Sequence, residues 1–333
     1  MLKVGVIDAD PARPSQPQPQ PHFSAGFEQD LLHALAERPR HISPKYFYDA
    51  AGSALFDRIC ELPEYYPTRT EVALLDRFAP EIARLCGARA EVVEFGAGSL
   101  HKIRLLLAAL DRPARYVPID ISSEHLAASA RDLVRDHPRL SVVPVAADYT
   151  CAFDLPPPLA GAGRRIGFFP GSTIGNFSPV EALGFLRSAA QLLSGGALLL
   201  GADLVKDPAL LHAAYNDAKG VTAAFNLNLL ARANRELGCD FELAQFAHSA
   251  FYNAPLSRIE MHLMSRCRQR VRVAGKAFEF EEGETLHTEN SYKFTVDSLR
   301  ALALAAGFEP GPVWTDEKRL FSLHWLSSPG AKG

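Results

Sequence analysis

The chain has 333 residues, 47% of them hydrophobic and 22% charged, with a net charge of -3, which suits a folded protein of one large or two moderate domains. It carries no Lys/Arg block, no apolar run approaching about 18 residues and no export signal, so small molecules are the expected partners, with no nucleic acid and no membrane. Its five cysteines (Cys60, Cys86, Cys151, Cys239, Cys267) are odd in number and never spaced as C-x-x-C, which points away from zinc and disulfides and toward a reducing cytoplasm.

Residues 1–22 include the stretch Pro14 to Pro21, alternating proline with Gln and Ser. Too few apolar side chains are present to offset the entropy of ordering, and a disordered leader is expected. From Phe23 the residues Leu31, Leu32 and Leu35 recur at helical spacing. The segment Ser43 to Phe56 is rich in aromatic and small residues, and reads either as a core-packing connection or as an aromatic wall over a ligand. Tyr65 and Tyr66 then stand between Pro63 and Pro67, and a helix is predicted from near Thr68 to about Cys86.

Beyond this point strands and helices alternate: strand 91–95, helix 100–110, strand 115–120, helix 123–136, strands 140–146 and 165–169, helix 179–193 and strand 197–204. Such alternation predicts an α/β fold with a doubly wound parallel sheet whose ligands sit at strand C-termini. The first strand turns through Gly96 and Gly98 into a helix with Ile103, Leu106, Leu107 and Leu110 on one face. Two glycines let the backbone turn tightly and offer bare amides at a helix start. The next strand ends at Asp120, where a carboxylate can accept both ribose hydroxyls.

A dinucleotide site wants a small residue three positions after Gly98, and His101 stands there, which disfavours a nicotinamide-dependent oxidoreductase. Glu94 ahead of the loop suits a cationic ligand, because a phosphate gains nothing beside a carboxylate. The run Glu94-Phe-Gly-Ala-Gly98 with Asp120 resembles the first two motifs of S-adenosylmethionine (SAM) dependent methyltransferases; taken alone, the loop reads equally well as an ordinary glycine turn. At the next strand end Asp148 can accept an exocyclic amine and Tyr149 can lie along a purine. The fourth ends in Gly171, Gly175 and Asn176, where the amide is either a ligand contact or a helix N-cap or turn former.

After Asp203 two helices broken near Gly220 carry Tyr215, and β-structure is predicted from about 246 to 280. In a strand over 285–294, side chains two apart share a face, so His287, Glu289 and Ser291 are expected to point the same way. A helix over 297–306 and strands 313–315 and 320–326 should close the sheet. No Pro-Cys-x-x-Cys accompanies His287-Thr-Glu289, and no Gly-x-Ser-x-Gly elbow or Walker loop is present; no metal is expected.

The runs Lys45-Tyr-Phe-Tyr-Asp49, Leu62-Pro-Glu-Tyr-Tyr-Pro-Thr-Arg-Thr-Glu71, Glu94-Phe-Gly-Ala-Gly-Ser99, Phe169-Pro-Gly-Ser-Thr-Ile-Gly-Asn176 and His287-Thr-Glu-Asn-Ser-Tyr-Lys-Phe294 together resemble the L-histidine Nα-methyltransferases of ergothioneine biosynthesis. The resemblance spans about residues 25 to 326. It implies a SAM-dependent enzyme that methylates the α-amine of histidine three times, giving hercynine. It further implies a Rossmann-like methyltransferase domain (70–205 with 293–333) and a smaller α+β substrate-binding domain (23–69 with 206–292).

Carried over motif by motif, Tyr66, Glu94, Gly96, Gly98, Lys102, Asp120, Asp148 and Tyr149 would hold SAM, with Gly171 at the site of transfer. Asn176, Tyr48 and Tyr215 would hold the amino and carboxylate groups, and Glu289 and Ser291 the imidazole, with Met261 in the same pocket. Which of Tyr46 and Tyr48, and of Tyr65 and Tyr66, fills each role stays open. A cytoplasmic monomer acting on L-histidine and its mono- and dimethylated forms is the resulting expectation. The alternatives are a sibling enzyme for another amino acid, such as a prenylated tryptophan, and a non-catalytic ligand-binding protein. Glu289 and Ser291 favour imidazole over indole, since one accepts from a ring N–H and the other satisfies a bare nitrogen.

Overall fold

The computed structural model describes residues 21–98, 100–121 and 123–330, so residues 1–20 of the expected leader lie outside the described residues. The first helix, Pro21–Ala36, begins two residues before the expected Phe23. No helix among the described residues is long and apolar enough to cross a membrane.

Among the described residues the main sheet has eight strands. Across it run Glu309–Thr315, Phe321–Ser327, Ala197–Asp203, Arg165–Phe169, Glu91–Phe95, Arg115–Asp120 and Ser141–Val142, and Val145–Ala146 also pairs with Arg115–Asp120. From Ala197–Asp203 to Ser141–Val142 the pairing is parallel; the two C-terminal strands add on antiparallel. Burial on both faces explains the near-continuous apolar strands, because alternate side chains enter different cores. Val92, Ile166 and Leu199 pack under Leu74, Ile82, Ile103 and Leu107 of the helices Tyr66–Cys86 and Leu100–Ala109. Val93, Leu198 and Leu200 pack under Phe185, Leu186 and Leu299 on the opposite side.

The strand expected over 140–146 is instead two short pieces, Ser141–Val142 and Val145–Ala146, separated by Pro144. Proline has no N–H for the ladder and interrupts an edge strand. The helix expected from Thr68 starts at Tyr66, with Pro67 in its first turn, where a missing N–H is harmless.

A second sheet, in the order Arg40–His41, Thr285–Tyr292, Arg258–Ser265 and Phe246–Asn253, lies with a hairpin of Gln269–Val273 and Lys276–Phe280. It shares a separate core with the helices Ala50–Cys60 and Val221–Leu237, built on Phe27, Leu31, Phe47, Phe225, Leu229 and Leu286. At the seam, Gly175 follows the strand Arg165–Phe169, and a Cβ there would stand 2.7 Å from the Tyr292 carbonyl oxygen. Only a glycine lets that turn press on the Thr285–Tyr292 strand.

That strand departs from simple alternation. Its pairing with Arg258–Ser265 shifts between His287 and Glu289, so Thr288 is an extra residue, held by donating to Asn226 Oδ1 at 2.8 Å. A bulge of this kind reverses the facing of everything before it. Glu289 and Ser291 keep one face, whereas His287 lies on the other, its ring stacked on His262 with centroids 4.5 Å apart. The expectation that all three share a face is corrected for His287.

Candidate functional site

Most of the residues expected to hold the cofactor gather at the C-termini of the parallel strands. Gly96 adopts φ +73°, and a Cβ there would approach the Tyr149 hydroxyl at 3.3 Å. The amides of Gly96 and Ala97 both donate to Ile119 O at 2.9 Å, folding the turn against the strand that ends in Asp120. A Cβ on Gly98 would meet nothing within 4 Å, so open space lies over the turn. Tyr149 presents its ring among Phe95, Phe169, Phe177 and Phe185, and burial, with Asp120 and Asp148 nearby, pushes its phenol up. Asp148 accepts from the Thr150 amide at 3.0 Å, and Lys45 Nζ stands 3.7 Å from it, which draws the 43–56 segment across the strand ends. A cradle of glycines with two acids and an aromatic ring fits an adenosine-bearing ligand.

Glu94 is buried and accepts from the Tyr116 hydroxyl. Burial lifts its carboxyl to about 8, against the opposing pull of Tyr116 and Lys102. Lys102 does not stand free over the cradle: its Nζ is 2.6 Å from Glu71 Oε2, and both Glu71 oxygens accept from the Gly171 amide at 2.9 Å. Gly171 has φ +79°, a conformation that favours glycine. Glu71 thus clamps the loop where transfer is expected, a role the sequence reading did not assign although Glu71 closes one of its motifs.

Asn176 ends the short turn Thr173–Asn176 and is half-buried. It is not a helix cap: Ser178 caps the next helix, Pro179–Leu192, in a reciprocal capping box with Glu181, so the capping alternative is removed while the turn-forming one holds.

The residues expected to hold the substrate include several that line a small, partly open cavity, bounded by Phe56, Tyr65, Tyr215, Phe225, Met261 and Glu289 among others. Of the 43–56 segment, Tyr46 and Phe47 are buried in the core, and Tyr48 is 36% exposed with its ring edge-on to Phe56 and Phe225 at 5.7 Å. Tyr46 and Phe47 thus follow the core-packing alternative, while Phe56 lines the cavity. Desolvation of its hydroxyl pushes the Tyr48 phenol up, reinforced first by Glu289 and then by Tyr149. Tyr65 lines the cavity, whereas the Tyr66 hydroxyl donates to Asp203 at 2.8 Å and accepts from Lys206 at 2.7 Å.

Glu289 is buried and its carboxyl is lifted to about 7 by desolvation, with Lys293 pulling the other way. Ser291 Oγ accepts from the Tyr215 hydroxyl and from Lys293 Nζ, both at 2.7 Å. On the opposite face of this sheet, Glu260, His262 and His287 bring donor atoms within 4.8 Å of one another. His262 and His287 lie nearly parallel, 13° apart, so their in-plane lone pairs run side by side, and Arg258 holds Glu260 at 2.6 Å.

Against known proteins, the chain is 42% identical over 301 residues to the histidine N-alpha-methyltransferase of Mycolicibacterium smegmatis, covering 89% of this chain and 92% of that one. It is 28% identical to ergothioneine biosynthesis protein 1 of Neurospora crassa, over 87% of this chain and 33% of that longer protein. A 4-dimethylallyltryptophan N-methyltransferase of Claviceps purpurea is 24% identical, over 89% of this chain and 93% of its own. The profile of one family runs from residue 27 to residue 328, across both sheets and both ends of the site, and the chain belongs to that family, the SAM-dependent histidine-specific methyltransferases.

Proposed function

We propose that the protein transfers three methyl groups in turn from SAM to the α-amine of L-histidine, giving hercynine for ergothioneine biosynthesis. The observation that carries this reading is the pair Glu289 and Ser291 on one face of the bulged strand. Glu289 is the one charged side chain among the described residues lining the cavity. A neutral imidazole has one N–H and one bare nitrogen, and a carboxylate with a hydroxyl satisfies both.

SAM supplies an electrophilic methyl on a sulfonium. The chain's part is alignment, since an amine lone pair must sit about 3 to 3.5 Å behind that carbon. Asn176 can accept from the amine and aim it, with the Glu71 clamp fixing the neighbouring Gly171 loop. The nitrogen must lose a proton before each transfer. Desolvation raises the phenols of Tyr48, Tyr65 and Tyr215 and keeps them protonated, so none is a ready base, and the proton leaves by a tyrosine hydroxyl or by water. Transfer ends when three methyls leave no lone pair.

The separate cores of the two sheets support assigning 70–205 with 293–333 to SAM and 23–69 with 206–292 to the amino acid. Five free cysteines accord with a cytoplasmic enzyme, which we take to act as a monomer. Mass spectrometry of histidine incubated with enzyme and SAM should give three successive methyl additions. Preference for 4-dimethylallyltryptophan, or no addition to either, overturns the assignment.

Glu94 adds a pH prediction. With its carboxyl near 8 it is mostly protonated at pH 7.5, and a bound cation draws that proton off. Binding of SAM should release on the order of half a proton, read from calorimetry in two buffers of different ionisation enthalpy. S-adenosylhomocysteine, lacking the sulfonium, should release less, and Glu94→Gln should erase the difference. Equal release by both ligands in the unmodified enzyme separates Glu94 from the cation.

A further inference from the structure

Lys293 lies inside the last of the recognised motifs, where it is a partner of Ser291 and a charge near Glu289. It is buried, and all three ammonium hydrogens have partners: Asp203 Oδ2 at 2.9 Å, Ser291 Oγ at 2.7 Å and the Tyr215 hydroxyl at 3.2 Å. Asp203 is itself held by Tyr66 and Lys206, which anchors the lysine from behind. Opposite charge beside it favours the ammonium, and burial, the leading opposing influence, is outweighed by Asp203 and Tyr215 so that the lysine stays charged.

The consequence is directional. An ammonium can only donate, so it occupies a lone pair on each of the two hydroxyls. Between those hydroxyls the phenol is the stronger donor and the aliphatic oxygen the better acceptor, and Tyr215 donates to Ser291 at 2.7 Å. Ser291 Oγ then accepts twice, and its own hydrogen is left for whatever lies against it on the Glu289 face.

We propose that Lys293 is a specificity-determining positioning residue, which through Tyr215 makes Ser291 a hydrogen-bond donor and so admits only a ring that presents a bare nitrogen to Ser291 and an N–H to Glu289. This rests on the histidine reading and deepens it: the pocket selects the direction of hydrogen bonding in its ligand as well as its shape. A ring with an N–H aimed at Ser291 meets a donor with a donor, and Glu289 is left unpaired.

The two pyrrolylalanine isomers test this, since each keeps one ring N–H and replaces the bare nitrogen with C–H. Steady-state methylation by the full-length protein should favour histidine over the poorer isomer by roughly 100-fold or more in kcat/KM. Lys293→Met frees a lone pair on Ser291, which can then accept an N–H, and the ratio should narrow at least about tenfold while SAM affinity by calorimetry is retained. Tyr215→Phe frees the other lone pair. It weakens all three substrates through the lost hydroxyl, but the ratio should narrow in the same way, and it carries the test if the lysine variant does not fold. A ratio unchanged in a folded variant overturns the relay and leaves histidine methylation standing, as does an unmodified enzyme that turns over histidine without discriminating. An unmodified enzyme that does not methylate histidine overturns the functional reading, and the relay with it.

Discussion

Glu289→Ala should lower histidine affinity by roughly 10- to 100-fold while leaving SAM affinity within about twofold, because a charge-assisted hydrogen bond is lost and the imidazole N–H is left facing apolar walls. The same residue should carry a stability penalty of its own. Its carboxyl is lifted from 4.5 to about 7 in the folded protein, so the folded chain binds a proton more tightly than the unfolded one between those values. That contribution to stability is fully present below 4.5 and is lost as pH rises through 7. Glu289→Gln, which keeps the volume without the charge, should therefore stabilise the ligand-free protein at pH 8, by about 3 kcal/mol at most, and by less than about 1 kcal/mol at pH 5. Denaturant unfolding at the two pH values measures the difference. A gain that does not grow with pH would mean the buried carboxylate is already neutralised by Lys293, and unchanged histidine affinity in the alanine variant would remove Glu289 from the pocket.

The residues that could be read from the sequence are those whose position follows from local rules. Gly96, Gly98, Asp120, Asp148 and Tyr149 lie at the ends of parallel strands, and the alternation of strands and helices puts strand ends together whatever the loops do. Glu289 and Ser291 come out on one face because no register shift separates them. His287 does not, because the bulge at Thr288 carries no glycine or other local mark; its extra residue is stabilised by Asn226, 62 positions away. Pro144 could have warned against an unbroken strand over 140–146, whereas Arg40–His41, only two residues long, has no periodicity to detect. Glu71 and Lys293 escaped for a different reason. Their partners Gly171 and Asp203 are 100 and 90 positions distant, and a buried ion pair has a sequence signature only when both members lie on one element.

Gly201→Ala should be among the most damaging single-methyl changes in the chain, although it lies in a strand far in sequence from every recognised motif. Glycine within a buried strand is unfavourable unless another group must come close, and here that group is Glu71. A Cβ at Gly201 would stand 2.1 Å from Glu71 Oε1 and 3.2 Å from Phe321 Cε1. The carboxylate cannot swing aside, being 0% exposed and held by both the Gly171 amide and Lys102. Alanine must either bend the Ala197–Asp203 strand, which pairs on both edges, or push Glu71 off its partners and leave a buried amide and an ammonium unmatched. Breaking a buried pair from one side costs about 3 to 5 kcal/mol, and SAM affinity should fall with it, because the Gly171 loop and Lys102 lose their common anchor. Chemical denaturation and calorimetry on Gly201→Ala, Glu71→Gln and the double variant check the mechanism: the double variant should lose much less than the sum of the singles. Strict additivity, or a loss under about 1 kcal/mol for Gly201→Ala, would mean the carboxylate has room to move and the loop is held by something else.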